Sequence, residues 1–311
     1  MNILVFSRRR HFKQRNEFIR NLFPTQNILH CSDEFQFFKT DLKVLWWNSY
    51  KVNNEIFKIS DLNYDDIILR CRYLREFELS ESKRKIDEAL NTWYNLIKSN
   101  SINLIYGLPI DSYTLHTLFI VSQKLNVKFF STVGTLFNAR LRITCFGELV
   151  YNRSIKNYES EIKSFIQDAK KESLRPEWLI GIKSSPFKTT LNRLFIDSLK
   201  TPFFFLYRKL SRDEESYSFP PRRLYKKRMF STFKRFYIAN KIESTALVSC
   251  PEKLIFKYFF IPLQFYPEVT SDYWNKELSL INHHEVVLKI VSENPDQTFL
   301  IKEHPAAIGR R

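Results

Sequence analysis

The feature that most constrains this chain is the alternation, across its first half, of short apolar runs with helix-length amphipathic stretches. Asn2 to Phe6 reads as a buried strand, and the cationic turn Arg8-Arg9-Arg10 leads from it into a helical pattern over about His11 to Leu22. Further strand-like runs follow at Asn27 to Cys31, Lys43 to Trp46, Asp66 to Arg70, Ile102 to Tyr106 and Val127 to Phe130. Helical stretches near Ser80 to Ser99 and Ser112 to Leu125 lie between them. Strands that alternate with helices predict a mainly parallel sheet covered on both faces, the α/β class. The first domain is placed at about residues 1 to 150.

Past Tyr151 the character changes. The segment to about residue 250 is rich in Lys and aromatic residues and helical in period, with turn signals at Arg175-Pro176, Ser185-Pro186 and Phe219-Pro220-Pro221. After Cys250-Pro251 the strand pattern returns over Lys257 to Leu263, with a helix from about Asn282 to Glu293 and a strand over Thr298 to Lys302. Residues 251–311 therefore open a second strand-helix-strand unit. They number about half of what a self-standing α/β domain needs, so this second domain is read as incomplete, with a continuation expected past Arg311.

Charge narrows the partners. The net charge of +16 points to an anionic ligand or surface, and residues 200–241 carry twelve basic against three acidic residues. No helix-turn-helix, RRM or zinc-finger pattern accompanies that charge, so nucleic acid is not the expected partner. Only five glycines are present and no G-x-G-x-x-G or Walker sequence occurs, so a nucleotide has to be held without a glycine-rich loop. Cys31, Cys71, Cys145 and Cys250 are scattered, as expected of reduced core thiols. The longest apolar runs, Thr201 to Tyr207 and Tyr258 to Leu263, fall well below the roughly 18 residues of a membrane span. Aromatic residues interleaved with cations after Thr201 fit either a peripheral contact with an anionic bilayer or a helical subdomain whose aromatics are core and whose charges are solvated. The paired His283-His284 has no acid or thiol at ligand spacing, and no metal or other cofactor is assigned.

Candidate chemistry gathers where strands run into helices, because ligands of open α/β sheets bind at the carboxyl ends of the strands. The strand ending at Lys302 delivers Lys302-Glu303-His304-Pro305 onto the first turn of a helix, where free N–H groups and the helix dipole favour phosphate. Gln264 and Glu268 follow the preceding strand and should face the same crevice if the two strands are parallel; Glu268 reads as a partner for ribose or sugar hydroxyls, as an acid or base, or as a solvated loop glutamate. In the first domain, Gly107-Leu108-Pro109-Ile110-Asp111 joins a strand to a helix. Asp111 is there either an acceptor-side base or the N-cap of the following helix. Arg8, Arg9 and Arg10 read as contacts for an anionic acceptor or as solvated arginines.

Pro262-Leu263-Gln264 with Pro267-Glu268, and then Lys302-Glu303-His304-Pro305 with Gly309-Arg310, resemble the capsule polysaccharide biosynthesis proteins, a family of bacterial glycosyltransferase-like proteins. Some of them are similar to transferases for Kdo (3-deoxy-manno-octulosonic acid). The motif likeness covers about residues 257 to 311; the first 150 residues agree in pattern only. The resemblance implies the GT-B architecture, two Rossmann-type domains, here with a basic helical region between them. It implies a nucleotide-sugar donor held by the second domain through Gln264, Lys302, Glu303 and His304, with His304 on the donor phosphate. A glycan or glycolipid acceptor would then lie on the first domain, with Asp111 and Glu268 as the catalytic candidates. The expected activity is sugar transfer in capsule or surface polysaccharide assembly, in the cytoplasm or on the inner face of the plasma membrane. A non-catalytic assembly or export protein and a GT-B-like nucleotide-sugar epimerase are the alternatives. The family's further donor-binding segments are expected downstream of Arg311.

Overall fold

The structure is a computed structural model. It describes residues 1–8, 11–34, 44–51, 57–134, 141–146, 257–263, 272–273, 277–278 and 281–302, with isolated positions at 163, 167, 195, 203, 206 and 237. Six strands, β1 (Asn2–Phe6), β2 (Asn27–Ser32), β3 (Val44–Trp46), β4 (Ile102–Tyr106), β5 (Lys128–Gly134) and β6 (Leu141–Thr144), form one sheet in the order β3-β2-β1-β4-β5-β6. Every pairing is parallel except β5 with β6. The protein is thus α/β, with the strand order of a doubly wound, Rossmann-type sheet and an antiparallel edge strand.

Residues Ile3, Leu4, Val5 and Phe6 of β1 are all fully buried, which is why this central strand reads as an unbroken apolar run rather than an alternating one. Leu4 and Phe6 face α3 (Leu79–Ser99) and α4 (Tyr113–Lys124), within a core that includes Trp93, Leu96, Leu115 and Leu118. Phe6 meets Trp93 edge-on at 5.9 Å, and the Trp93 indole N–H donates to the Thr114 carbonyl at 2.7 Å. Ile3 and Val5 face the other way, onto Ile19 of α1 (Phe12–Leu22). Helices on both faces follow from burial on both faces.

Two departures from the sequence reading have clear causes. Residues 66–70, expected as a strand, belong to helix α2 (Tyr64–Arg70). The Asn63 side chain accepts from the Asp66 backbone N–H at 3.0 Å, Asp65 and Asp66 occupy the first turn, and Arg70 reaches back to Asp66 at 2.8 Å. Cap, dipole and an i,i+4 pair outweigh the β-branched character of Ile67 and Ile68. The second departure is β6, which was not expected; β5 runs on past Phe130 to Gly134 and pairs with it.

Gly107 explains how β4 turns off the sheet. A Cβ at this position would lie 2.3 Å from the Phe129 ring, so only glycine lets the backbone pass and donate its N–H to the Phe130 carbonyl at 2.8 Å. A separate two-stranded sheet pairs β7 (Phe259–Pro262) with β8 (Phe299–Lys302) in parallel, with α5 (His283–Glu293) between them in the chain. These elements fall within two residues of their expected bounds, and the parallel pairing is the one on which the shared crevice depended. Among the described residues, no helix is long and apolar enough to cross a membrane.

Candidate functional site

In this strand order, β1 and β4 flank the point where successive connections diverge to opposite sides of the sheet. The carboxyl ends of β1, β2 and β4 therefore surround a crevice. The loop that leaves each end contributes one charged residue: Arg8 two positions after β1, Asp33 directly after β2 and Asp111 five positions after β4.

The three side chains form one ionic knot. Arg8 Nε and Nη2 donate to the two Asp33 oxygens at 3.1 and 3.0 Å, while Nη1 and Nη2 donate to the two Asp111 oxygens at 2.5 and 3.0 Å. Such paired, charge-assisted contacts fix both carboxylates in the plane of the guanidinium. Arg8 Nη2 also donates to Ser112 Oγ at 3.2 Å, Ser112 Oγ lies 2.9 Å from Thr114 Oγ1, and Thr114 Oγ1 donates to Asp33 at 3.1 Å. Since the Thr114 hydroxyl hydrogen goes to Asp33, Ser112 must donate to Thr114. The hydrogen bonds thus run one way, from Arg8 through Ser112 and Thr114 to Asp33.

Burial would by itself push the Arg8 guanidinium down, but the adjoining Asp33 and Asp111 carboxylates outweigh it and hold the group well above its ordinary range. Arg8 is permanently charged, and one cation faces two acids. Asp33 has a side chain only 1% exposed and Asp111 one 15% exposed, so Asp111 is the member that a ligand in the crevice can reach. Both Asp111 oxygens already accept from Arg8, and their remaining lone pairs suit a ligand hydroxyl.

Asp111 thus lies where it was expected, between a strand and a helix, but it is not the N-cap of α4; that position is Ser112. Arg8 is neither a solvated arginine nor a contact open to an anionic acceptor, because carboxylates and a hydroxyl take its donors. Arg9 and Arg10 lie outside the described residues, as do Gln264, Glu268, Glu303 and His304. Lys302 is described: it is exposed, ends β8 and pairs with Pro262. The Leu263 N–H donates to the Lys302 carbonyl at 2.8 Å, so the chain leaves β7 and β8 side by side at one edge.

Several residues of the first site escaped the sequence reading. Asp33 carried a signal, since it directly follows a strand-like run, whereas Ser112 and Thr114 look like ordinary helix-start residues. Arg15 is also unforeseen. It is buried on α1, donates from Nη2 to the Tyr106 and Gly107 carbonyls at 3.1 and 2.5 Å, and stacks 3.7 Å over the Tyr106 ring. Burial lowers its pKa to about 10, with Tyr106 opposing, so it remains cationic at neutral pH and pins α1 to the end of β4.

A second polar cluster adjoins the first. Arg70 Nη1 donates to the Asp272 carbonyl at 3.1 Å, Arg75 Nη2 donates to Asp272 Oδ1 at 2.9 Å, and Arg72 Nε stands 3.4 Å from Asp272 Oδ2. The neighbouring Tyr273 is buried edge-on to His116, with ring centroids 5.8 Å apart. Burial pushes its phenol well above the ordinary range, and Cys71, Asp111 and Asp272 add to the rise. Burial also lowers the His116 pKa to about 4, with Asp66 opposing and Arg70 assisting, so the imidazole 3.7 Å from Asp66 is neutral at physiological pH. Among the described residues, no group of His, Cys, Asp and Glu is arranged to hold a metal ion. Compared with protein-family models, with characterised proteins and with solved structures, the chain matches none.

Proposed function

We propose that this protein is a glycosyltransferase of capsule or surface polysaccharide assembly, acting in the cytoplasm or at the inner face of the plasma membrane. In this reading two Rossmann-type units form a GT-B architecture. The second holds a nucleotide-sugar donor through Gln264, Lys302, Glu303 and His304, and the first presents a glycan or glycolipid acceptor at Asp111. The observation that carries the reading is the parallel pairing of β7 with β8, in which Pro262 opposes Lys302. That register sets Pro262 and Lys302, the described members of the two sequence motifs, side by side, which supports a shared donor pocket.

The first sheet supports the acceptor side. Asp111 is held rigidly by Arg8, with lone pairs left for a hydroxyl, so its part is to orient the acceptor hydroxyl while Glu268 is the residue available to take the proton. His304 and the helix start after Lys302 stabilise charge on the departing nucleotide phosphate.

Calorimetry with nucleoside mono- and diphosphates tests the donor site. Binding that His304→Ala weakens strongly supports it, and binding indifferent to that change removes it. Product analysis then separates transfer, which yields free nucleotide and an extended glycan, from epimerisation, which yields an isomerised donor.

A further inference from the structure

Arg15 is a buried cation without an acid. It is only 7% exposed, and its partners are neutral: the Tyr106 and Gly107 carbonyls, both on Nη2, and the face of the Tyr106 ring. Nε is sealed from solvent and donates to nothing, and Nη1 makes no hydrogen bond either. The other two buried arginines among the described residues, Arg8 and Arg70, both face carboxylates. A guanidinium that keeps its charge inside a protein calls for an opposite charge and for acceptors on its remaining N–H groups, and Arg15 has neither.

Ser7 presents a second unmet group on the same side of the sheet. Its N–H donates to the Cys31 carbonyl at 2.9 Å, which extends the ladder of β1 by one residue. Its side chain therefore points with Ile3 and Val5 to the face that α1 covers. Ser7 Oγ is fully buried and has no hydrogen-bond partner, a costly state for a hydroxyl that an alanine would avoid. Both groups stand where α1 begins. Arg15 is the fourth residue of α1, long helical side chains lean back toward the N-terminus, and its guanidinium reaches the carbonyls that close β4. The first turn of α1 holds no acidic residue, and His11 at its cap gives it no side-chain hydrogen bond, so nothing negative meets the positive end of the helix dipole there.

We infer that Ser7, Arg15 and the first turn of α1 form a binding site for a phosphate group. A tetrahedral phosphate offers one oxygen to the guanidinium, one to the Ser7 hydroxyl and one to the backbone N–H groups of the helix start, and its charge neutralises Arg15. Entry is at Nη1, the unbonded donor of Arg15 that is not sealed from solvent, and the start of α1 eases outward to let the anion reach Ser7. The site is separate from the Asp111 crevice. Ser7 and Arg8 are consecutive and point to opposite faces, so the phosphate lies on the α1 side while Arg8 meets Asp33, Ser112 and Asp111 on the α4 side. The inference does not depend on the sugar-transfer reading, because its residues are defined without reference to His304 or the β7–β8 edge.

The test is calorimetry on the full chain at constant ionic strength, with inorganic phosphate, glucose 6-phosphate and glucuronate. Both phosphates should bind, and glucuronate, whose planar carboxylate lacks the third oxygen, should bind about tenfold more weakly. The tighter of the two phosphates tells whether the group arrives free or on a sugar ester. Arg15→Met should abolish the binding. Ser7→Ala should weaken it about tenfold and leave the thermal midpoint of the ligand-free protein unchanged or higher, because the hydroxyl it removes bonds to nothing. Repeating the titrations with His304→Ala separates this site from phosphate held by the donor motif: binding that depends on Ser7 and Arg15 should persist there. Absence of phosphate binding, equal binding of glucuronate, indifference to Ser7→Ala, or loss of the binding with His304→Ala overturns the proposal. Should Arg15→Met fail to fold, Ser7→Ala decides the matter alone.

Discussion

The two ionic clusters of this protein invert each other. At the end of β1 one arginine serves two acids; beside α2 three arginines converge on one. The Arg8 knot joins three loops of a single sheet and closes a complete hydrogen-bond circuit through Ser112 and Thr114. The Asp272 cradle joins distant parts of the chain and leaves one carboxylate oxygen without a hydrogen bond among the described residues. Completeness of hydrogen bonding, more than the number of charges, distinguishes the two clusters.

The sharpest way to break the comparison is to remove the cation of the saturated cluster. Arg8→Ala leaves two buried carboxylates facing one another, and loss of one side of a buried ionic cluster costs about 3–5 kcal/mol. Urea denaturation should show that loss. A cost below that of Arg75→Ala would mean that the Arg8 knot is the looser of the two.

The next effect tests whether the second cluster is dry. His116 has a folded-state pKa near 4 against 6.5 for the free side chain, lowered chiefly by burial. Between those values the unfolded chain takes a proton that the folded chain refuses. Stability is therefore whole above pH 6.5 and falls as the pH drops to 4, by about 3 kcal/mol for this residue. His30, also lowered to about 4, chiefly by burial, adds a loss of the same sign. Stability measured from pH 7 to pH 4 should slope less in His116→Gln than in the wild type. Equal slopes would show that water reaches the imidazole.

Arg75→Ala comes third. It takes the 2.9 Å hydrogen bond from a fully buried carboxylate, and Arg72 is too far away to replace it. A cost of about 1–3 kcal/mol is expected. Hydrogen exchange should place it near residues 70–77 and 272–273, with β1 and β4 unaffected; a loss spread evenly over the sheet would make the cradle part of the first core.

How far the sequence foretold these regions depends on the reach of each contact. Strands β1 and β4 and helices α3 and α4 were legible because their burial follows from local pattern: Ile3 to Phe6 are buried on both faces, and α3 repeats its apolar residues at helical spacing. Residues 66–70 misled because two isoleucines and a leucine look like a strand until Asn63 is recognised as a cap. Arg8 and Asp111 each stood out alone, but their pairing depends on β1 lying beside β4, a neighbour relation that skips two strands. The partnership of Asp272 with Arg70, Arg72 and Arg75 spans some 200 residues, and no local signal encodes it. The donor-side residues Gln264, Glu268, Glu303 and His304 were legible only as motifs and lie outside the described residues.

The smallest effect isolates burial from charge count. Glu88 on α3 meets two cations, Arg84 one turn away and Lys51 at 2.6 Å. As at Asp272, more than one cation meets a single carboxylate, yet the Arg84 and Lys51 side chains are 57% and 41% exposed. Water and salt screen such pairs, and holding two long side chains in one geometry costs entropy. Arg84→Ala should therefore lower stability by no more than about 0.5 kcal/mol, and less in high salt. If it costs as much as Arg75→Ala, the number of cations around an acid governs both sites. If it costs little, the same ratio of charges is nearly neutral in water and decisive only where Asp272 is sealed from it.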